Sequence, residues 1–210
     1  MTFRQKWENY WYHYKWTTFI AVFIVALIII GIKSFTSKTN PDLYMVYLSN
    51  TIIQSDDINN IEKAIAEDAN LDDIDGDGKS IAYLEHLVST FEVDGYTDST
   101  YAQKIQTVVF GGQHTLMLVH QYALEDYDGM FENLADFTKD GEKVFKSPTE
   151  KFVSGISVEG NEYLESHGIN TKDLYIALRR RTTENIAKGK ENKEFKQAHK
   201  VMKYILSRQR

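Results

Sequence analysis

The chain has 210 residues, 42% of them hydrophobic, a formal net charge of −6 and no cysteine, which excludes disulfides and a lipid-modified cysteine anchor. Charge falls in three blocks: +4 over residues 1–38, −18 over 39–170 and +8 over 171–210. So acidic a body argues against nucleic acid as a partner.

The first element is an apolar run. Thr17 to Ile32 contains no charged residue, and residues 16–33 as a helix are just long enough to cross about 30 Å of hydrocarbon. Tyr10, Trp11, Tyr12, Tyr14 and Trp16 precede it, rings with apolar bodies and polar tips that settle at headgroup depth. A cleaved secretory signal ends in a small-x-small site, and Gly31-Ile32-Lys33-Ser34 is a poor one. We therefore expect a signal-anchor that contacts the lipid bilayer through residues 16–33. Arg4, Lys6 and Lys15 before the run, against Lys33 and Lys38 after it, place residues 1–15 in the cytoplasm. A linker over 34–41 and an extracellular domain over 42–210 follow.

Leu43 to Leu48 is a continuous apolar run bounded by Pro-Asp and Ser-Asn, as in a strand buried on both faces. Asp56 and Asp57 precede Ile58, Ile61, Ala64 and Ile65 at helical spacing, which predicts an Asp-capped helix. The alternation continues with a strand over 80–90, a helix over 98–110 stopped by Gly111-Gly112, and a strand over 115–119. Met130, Phe131, Leu134 and Phe137 predict a helix over 127–137, and 151–158 and 174–179 predict further strands. A closing helix over 193–208 sets Phe195, Ala198, Val201, Met202, Ile205 and Leu206 on one stripe. The expected fold class is α/β, a parallel or mostly parallel sheet with helices on both faces, in one domain. The basic tail, including Arg179, Arg180 and Arg181, could meet anionic lipid or wall polymer, but reads first as a solvated helix face.

One segment carries recognisable chemistry. Asp73, Asp75 and Asp77 alternate ahead of Gly78, so three carboxylates can converge on one hard cation at positions 1, 3 and 5 of a calcium loop. The Lys79 carbonyl would stand at position 7. Position 12, where a bidentate Glu belongs, is Leu84, and the nearest acid is Glu85. The loop resembles the shorter DxDxDG calcium loops, dockerins among them, and would bind at about 10⁻⁴ to 10⁻³ M, completed by Glu85, Asp72, water or a distant side chain. The competing reading is an acidic glycine turn.

His114 and His120 flank a strand with no carboxylate or cysteine at zinc-ligand spacing, so ordinary structural roles are expected. No P-loop, nucleophile elbow or dinucleotide fingerprint is present. In an open parallel sheet ligands bind beyond the carboxyl ends of strands, which makes Ser49, Asn50, Asp126 and Asp128 the candidate ligand site.

The strand–helix–strand–helix–strand order resembles the first lobe of the extracellular solute-binding proteins that serve ABC transporters. The residues carrying that resemblance are Ala102 to Gly112, the strand Thr115 to Val119 and the piece Phe131 to Asp136. The start Tyr10-Trp11-Tyr12-His13-Tyr14-Lys15-Trp16 ahead of a span resembles membrane-anchored proteins of Gram-positive bacteria. The resemblance implies a lobe retained as a scaffold for protein contacts, because the chain is too short for the second lobe of a clamshell. The expected function is a surface-exposed, non-enzymatic binding or interaction module with a calcium loop and a protein partner in a membrane complex. A small-solute receptor working with a transporter is the alternative, and a cell-wall-directed hydrolase the alternative of another class.

Overall fold

A computed structural model describes residues 2–36, 40–49, 51–88, 99–111, 114–181 and 190–209. The chain forms two compact units, Met1–Asn40 and Pro41–Arg210.

The described residues of the first unit are mostly one helix, α1 (Phe3–Thr36). Within it Tyr10–Ile30 is long and apolar enough to cross a membrane, and none of that stretch is buried against protein. Phe23, Ile24 and Ile30 are 63%, 50% and 63% exposed. Water would penalise so much bare apolar surface, whereas hydrocarbon would not. The helix extends beyond residues 16–33 at both ends, taking in most of the basic aromatic segment.

In the second unit the strands are β1 (Leu43–Ser49), β2 (Ala82–Val88), β3 (Leu116–His120), β4 (Val144–Lys146), β5 (Val153–Ser157) and β6 (Leu174–Leu178). The helices are α2 (Ser55–Asp68), α3 (Ser99–Phe110), α4 (Gln121–Asp126), α5 (Glu162–Ser166) and α6 (Lys190–Ser207). One six-stranded sheet runs in the order β2-β1-β3-β6-β5-β4. β1 pairs parallel with β2 and β3, in registers Leu43↔Ala82 and Met45↔Leu116. β6 pairs antiparallel with β3 and β5, and β4 antiparallel with β5.

The expectation of a parallel or mostly parallel sheet therefore holds for β2-β1-β3 and fails for the other half. Connection length explains it. A parallel return needs a crossover of about a dozen residues or more, and only residues 147–152 separate β4 from β5. α5, the one helix between β5 and β6, has five residues and rises about 7.5 Å, too little to run back along a strand.

Strand side chains alternate between two apolar clusters, as a pleat requires. Leu43, Met45, Tyr47, Leu116 and Leu118 join Ile61 and Ile65 of α2 and Val201, Met202 and Ile205 of α6. Val46, Leu48, Met117 and Val119 join Ile105 and Val108 of α3 and Ala123 and Leu124 of α4. The stripe expected on the last helix is buried throughout, Phe195 to Leu206. Asn161, fully buried, caps α5 through the Leu164 N–H and donates its Nδ2 to the Ile205 carbonyl at 2.9 Å, which fixes α5 against α6.

Three local expectations are corrected. The N-cap of α2 is Gln54 without a side-chain bond, and Asp56 and Asp57 sit in the first turn, where they favour the helix dipole instead. β4 lies between the helix expected over 127–137 and the strand expected over 151–158, where the pattern predicts no element. The helix expected over 127–137 is absent: after α4 the chain turns at Gly129 (φ +85°), Phe131 bridges to Arg179, and only Ala135–Phe137 forms a 3₁₀ turn. Phe131 enters the cluster of α3 and α4 while Leu134 enters that of α2 and α6. Residues three apart on one helix share a face, so a helix could not serve both clusters.

The basic tail is tied to the acidic body. Arg180 Nη1 lies 2.7 Å from Glu150 Oε1, Arg181 Nε 2.9 Å from Glu132 Oε1, and Lys200 Nζ 3.1 Å from Asp72 Oδ1. Each pair is partly exposed and contributes little alone, at most about 1 kcal/mol.

Candidate functional site

The acidic loop between α2 and β2 folds around its own carboxylates. Asp73 accepts from the N–H groups of Gly76 (2.7 Å) and Gly78 (2.8 Å), Asp75 from that of Asp77 and Asp77 from that of Lys79. The Gly78 and Gly76 bonds hold the Asp73 carboxyl below its ordinary pKa. Gly76 and Gly78 have φ of +80° and +83°, conformations that tax any residue with a Cβ.

A residue outside the motif closes the loop. Asp42, 3% exposed and one position before β1, accepts from Ile74 N–H at 2.7 Å through Oδ1 and from Ile81 N–H at 2.9 Å through Oδ2. It thereby staples the two ends of the loop together. Asp42, Asp73 and Asp75 each present an oxygen within 4.8 Å of the others. Two oxygens on opposite sides of a cation at about 2.4 Å are about 4.8 Å apart, so the three could ligate one calcium ion.

Of the expected metal ligands, then, Asp73 and Asp75 come together, with Asp42 as their third member. Asp77 and Lys79 are outside that group among the described residues. Glu85 is engaged elsewhere: Lys104 Nζ stands 3.3 Å from Oε1 and His114 Nε2 3.0 Å from Oε2, the latter off the direction of a hydrogen bond. Alternation along β2 explains this, because Leu84 points into the α2–α6 cluster and its neighbour must point away. The register of β1 on β2 was the signal that would have found Asp42: with Leu43 opposite Ala82, the residue before β1 lies beside Ile81.

The strand-end residues do not form one site. Ser49 is fully buried at the end of β1; its Oγ lies 2.6 Å from the Thr51 carbonyl and 2.8 Å from His86 Nε2. The Ser49 hydroxyl donates its one hydrogen to the carbonyl, which makes Nε2 the donor to Ser49 and leaves no base to activate a nucleophile. Asn50 lies outside the described residues. Asp126 is exposed at the end of α4, and Asp128 accepts the Thr149 N–H at 2.9 Å in the β4–β5 connection. Three strands stand between β1 and β4, roughly 15–20 Å at about 4.8 Å each, which separates Ser49 from that connection.

His86, His114 and His120 are all held below the ordinary imidazole pKa of 6.5 by burial; burial also lowers His199, with Arg181 and Lys203 adding to the effect. A base whose pKa is lowered in the fold is protonated first in the unfolded chain. Stability is therefore full above about pH 6.5 and falls as the pH drops through 6.5 toward the folded-state values. The unfolding temperature of the full chain should fall steadily between about pH 7 and pH 5; a flat profile there would refute it.

No protein-family model, curated protein or solved structure matches the chain.

Proposed function

We propose that the chain is a membrane-anchored interaction module: α1 is its uncleaved signal-anchor, and the unit from Pro41 onward is an extracellular, non-enzymatic scaffold for a protein partner in a membrane complex. The observation that carries this reading is α1, a helix whose apolar stretch has no buried residue, in a chain whose other unit has its own sheet and core. Two arrangements favour binding over catalysis. The Ser49–His86 pair is wired as a structural link, and the Glu85 carboxylate is matched by Lys104, with His114 beside it kept neutral by burial. The two apolar clusters, each with helices of its own, support a sheet with helices on both faces. The solute-binding-lobe resemblance fits the parallel block β2-β1-β3.

The acidic loop is read as a calcium staple through Asp42, Asp73 and Asp75, completed by waters, in keeping with an extracellular setting. An alkaline wash of membranes tests the anchor. The full-length chain should remain in the pellet, and a shortened chain released to the medium would show that α1 is a removed signal.

A further inference from the structure

The two edges of the sheet differ. β4 is blunted: it has three residues, its register breaks between Phe145 and Lys146, Lys146 is exposed and Pro148 follows soon after. β2 has seven residues, and among the described residues no strand pairs with its outer side. Among the described residues one side chain reaches it. Glu62 of α2 reaches over and accepts the outward Leu84 N–H at 2.7 Å.

Open space flanks that contact. A hollow of about 280 Å³ opens toward Ser80 and Ala82, another of about 500 Å³ toward Tyr83 and His86, and both are lined by Asn59 and Glu62. They run beside the chain from Ser80 to His86, giving a groove between an edge strand and a helix. Tyr83, 41% exposed, stands beside it.

The charges say what would fill the groove. Lys63 faces Glu67 at 3.9 Å and Lys104 faces Glu85 at 3.3 Å, so the two cations are matched. Glu62 is half-buried and has no cation within ion-pair distance among the described residues. A strand added along β2 would take the Leu84 N–H for its own carbonyl and free the Glu62 carboxylate. A lysine or arginine on that strand would then give Glu62 the charge partner it lacks.

We propose that the groove between α2 and β2 is a strand-addition site for an extended peptide segment of a partner protein, with a basic side chain paired to Glu62. This rests on the interaction-module reading. The strand's backbone supplies affinity and the basic residue specificity.

The test uses the full chain in detergent and fluorescence anisotropy of a labelled peptide alternating threonine and lysine. A threonine–glutamate peptide and a lysine peptide N-methylated at every second residue serve as comparisons. Saturable binding of the first is expected, weakened at least tenfold by N-methylation and about tenfold by Glu62→Gln, with the unfolding temperature of the variant within a few degrees of wild type. The proposal is overturned if N-methylation changes nothing, since the contact would then be charge alone. It is equally overturned if Glu62→Gln binds as wild type, if no peptide binds, or if the edge is occupied by a second copy, seen as a concentration-dependent dimer in light scattering. A partner cross-linked elsewhere on the domain would leave the module reading standing while this site fails.

Discussion

Replacing Asp42 by alanine should destabilise the domain by about 3 kcal/mol, a fall of roughly 10 °C in the unfolding temperature. Two part-buried backbone donors, Ile74 N–H and Ile81 N–H, lose a charged acceptor at once, and the Asp42 side chain lies too deep for water to replace it easily. Asp42→Asn, which keeps one acceptor oxygen, should lose less. Calcium gives the same loop a second readout. Binding at about 10⁻⁴ M adds roughly 1 to 2 kcal/mol at millimolar calcium, so the wild-type chain should unfold several degrees higher in calcium than in chelator. Asp75→Ala removes an exposed ligand at little structural cost and should abolish that difference. An equal shift in wild type and Asp75→Ala would place calcium elsewhere, and no shift in either would leave an acidic turn stapled by Asp42.

Phe131→Ala should cost about 3–5 kcal/mol, measured by denaturant unfolding of the full chain. Its ring is 1% exposed, fills the cluster of α3 and α4, and sits where the chain leaves α4 to bridge Arg179. Asp126→Ala, at an exposed position a few residues earlier, should change stability by no more than about 0.5 kcal/mol. Similar costs for the two would mean that the segment after α4 is not packed as described.

Phe131 also marks where the amino-acid pattern ceases to be readable. The apolar residues of 127–137 are evident as core candidates, but their spacing suits a helix, and only the pull of Phe131 and Leu134 into different clusters shows otherwise. β1, β3 and α6 are legible because local pattern suffices: two continuous apolar runs and one 3.6-residue stripe. β4, three residues long, is too brief for any period to register. The acidic loop divides in the same way. Asp73 and Asp75 announce themselves by spacing, whereas Asp42 reaches them only through the pairing of β1 with β2, a contact between residues far apart in the chain. Glu85 looks available by spacing alone and is turned away by the pleat toward Lys104 and His114.

The central claim, an anchored chain with its α/β unit outside the cell, is tested most directly by adding protease to sealed right-side-out vesicles carrying the full chain with a C-terminal epitope. The epitope should be lost while a small fragment containing α1 stays protected in the membrane. An epitope that survives until detergent opens the vesicles would put the domain inside and contradict the account.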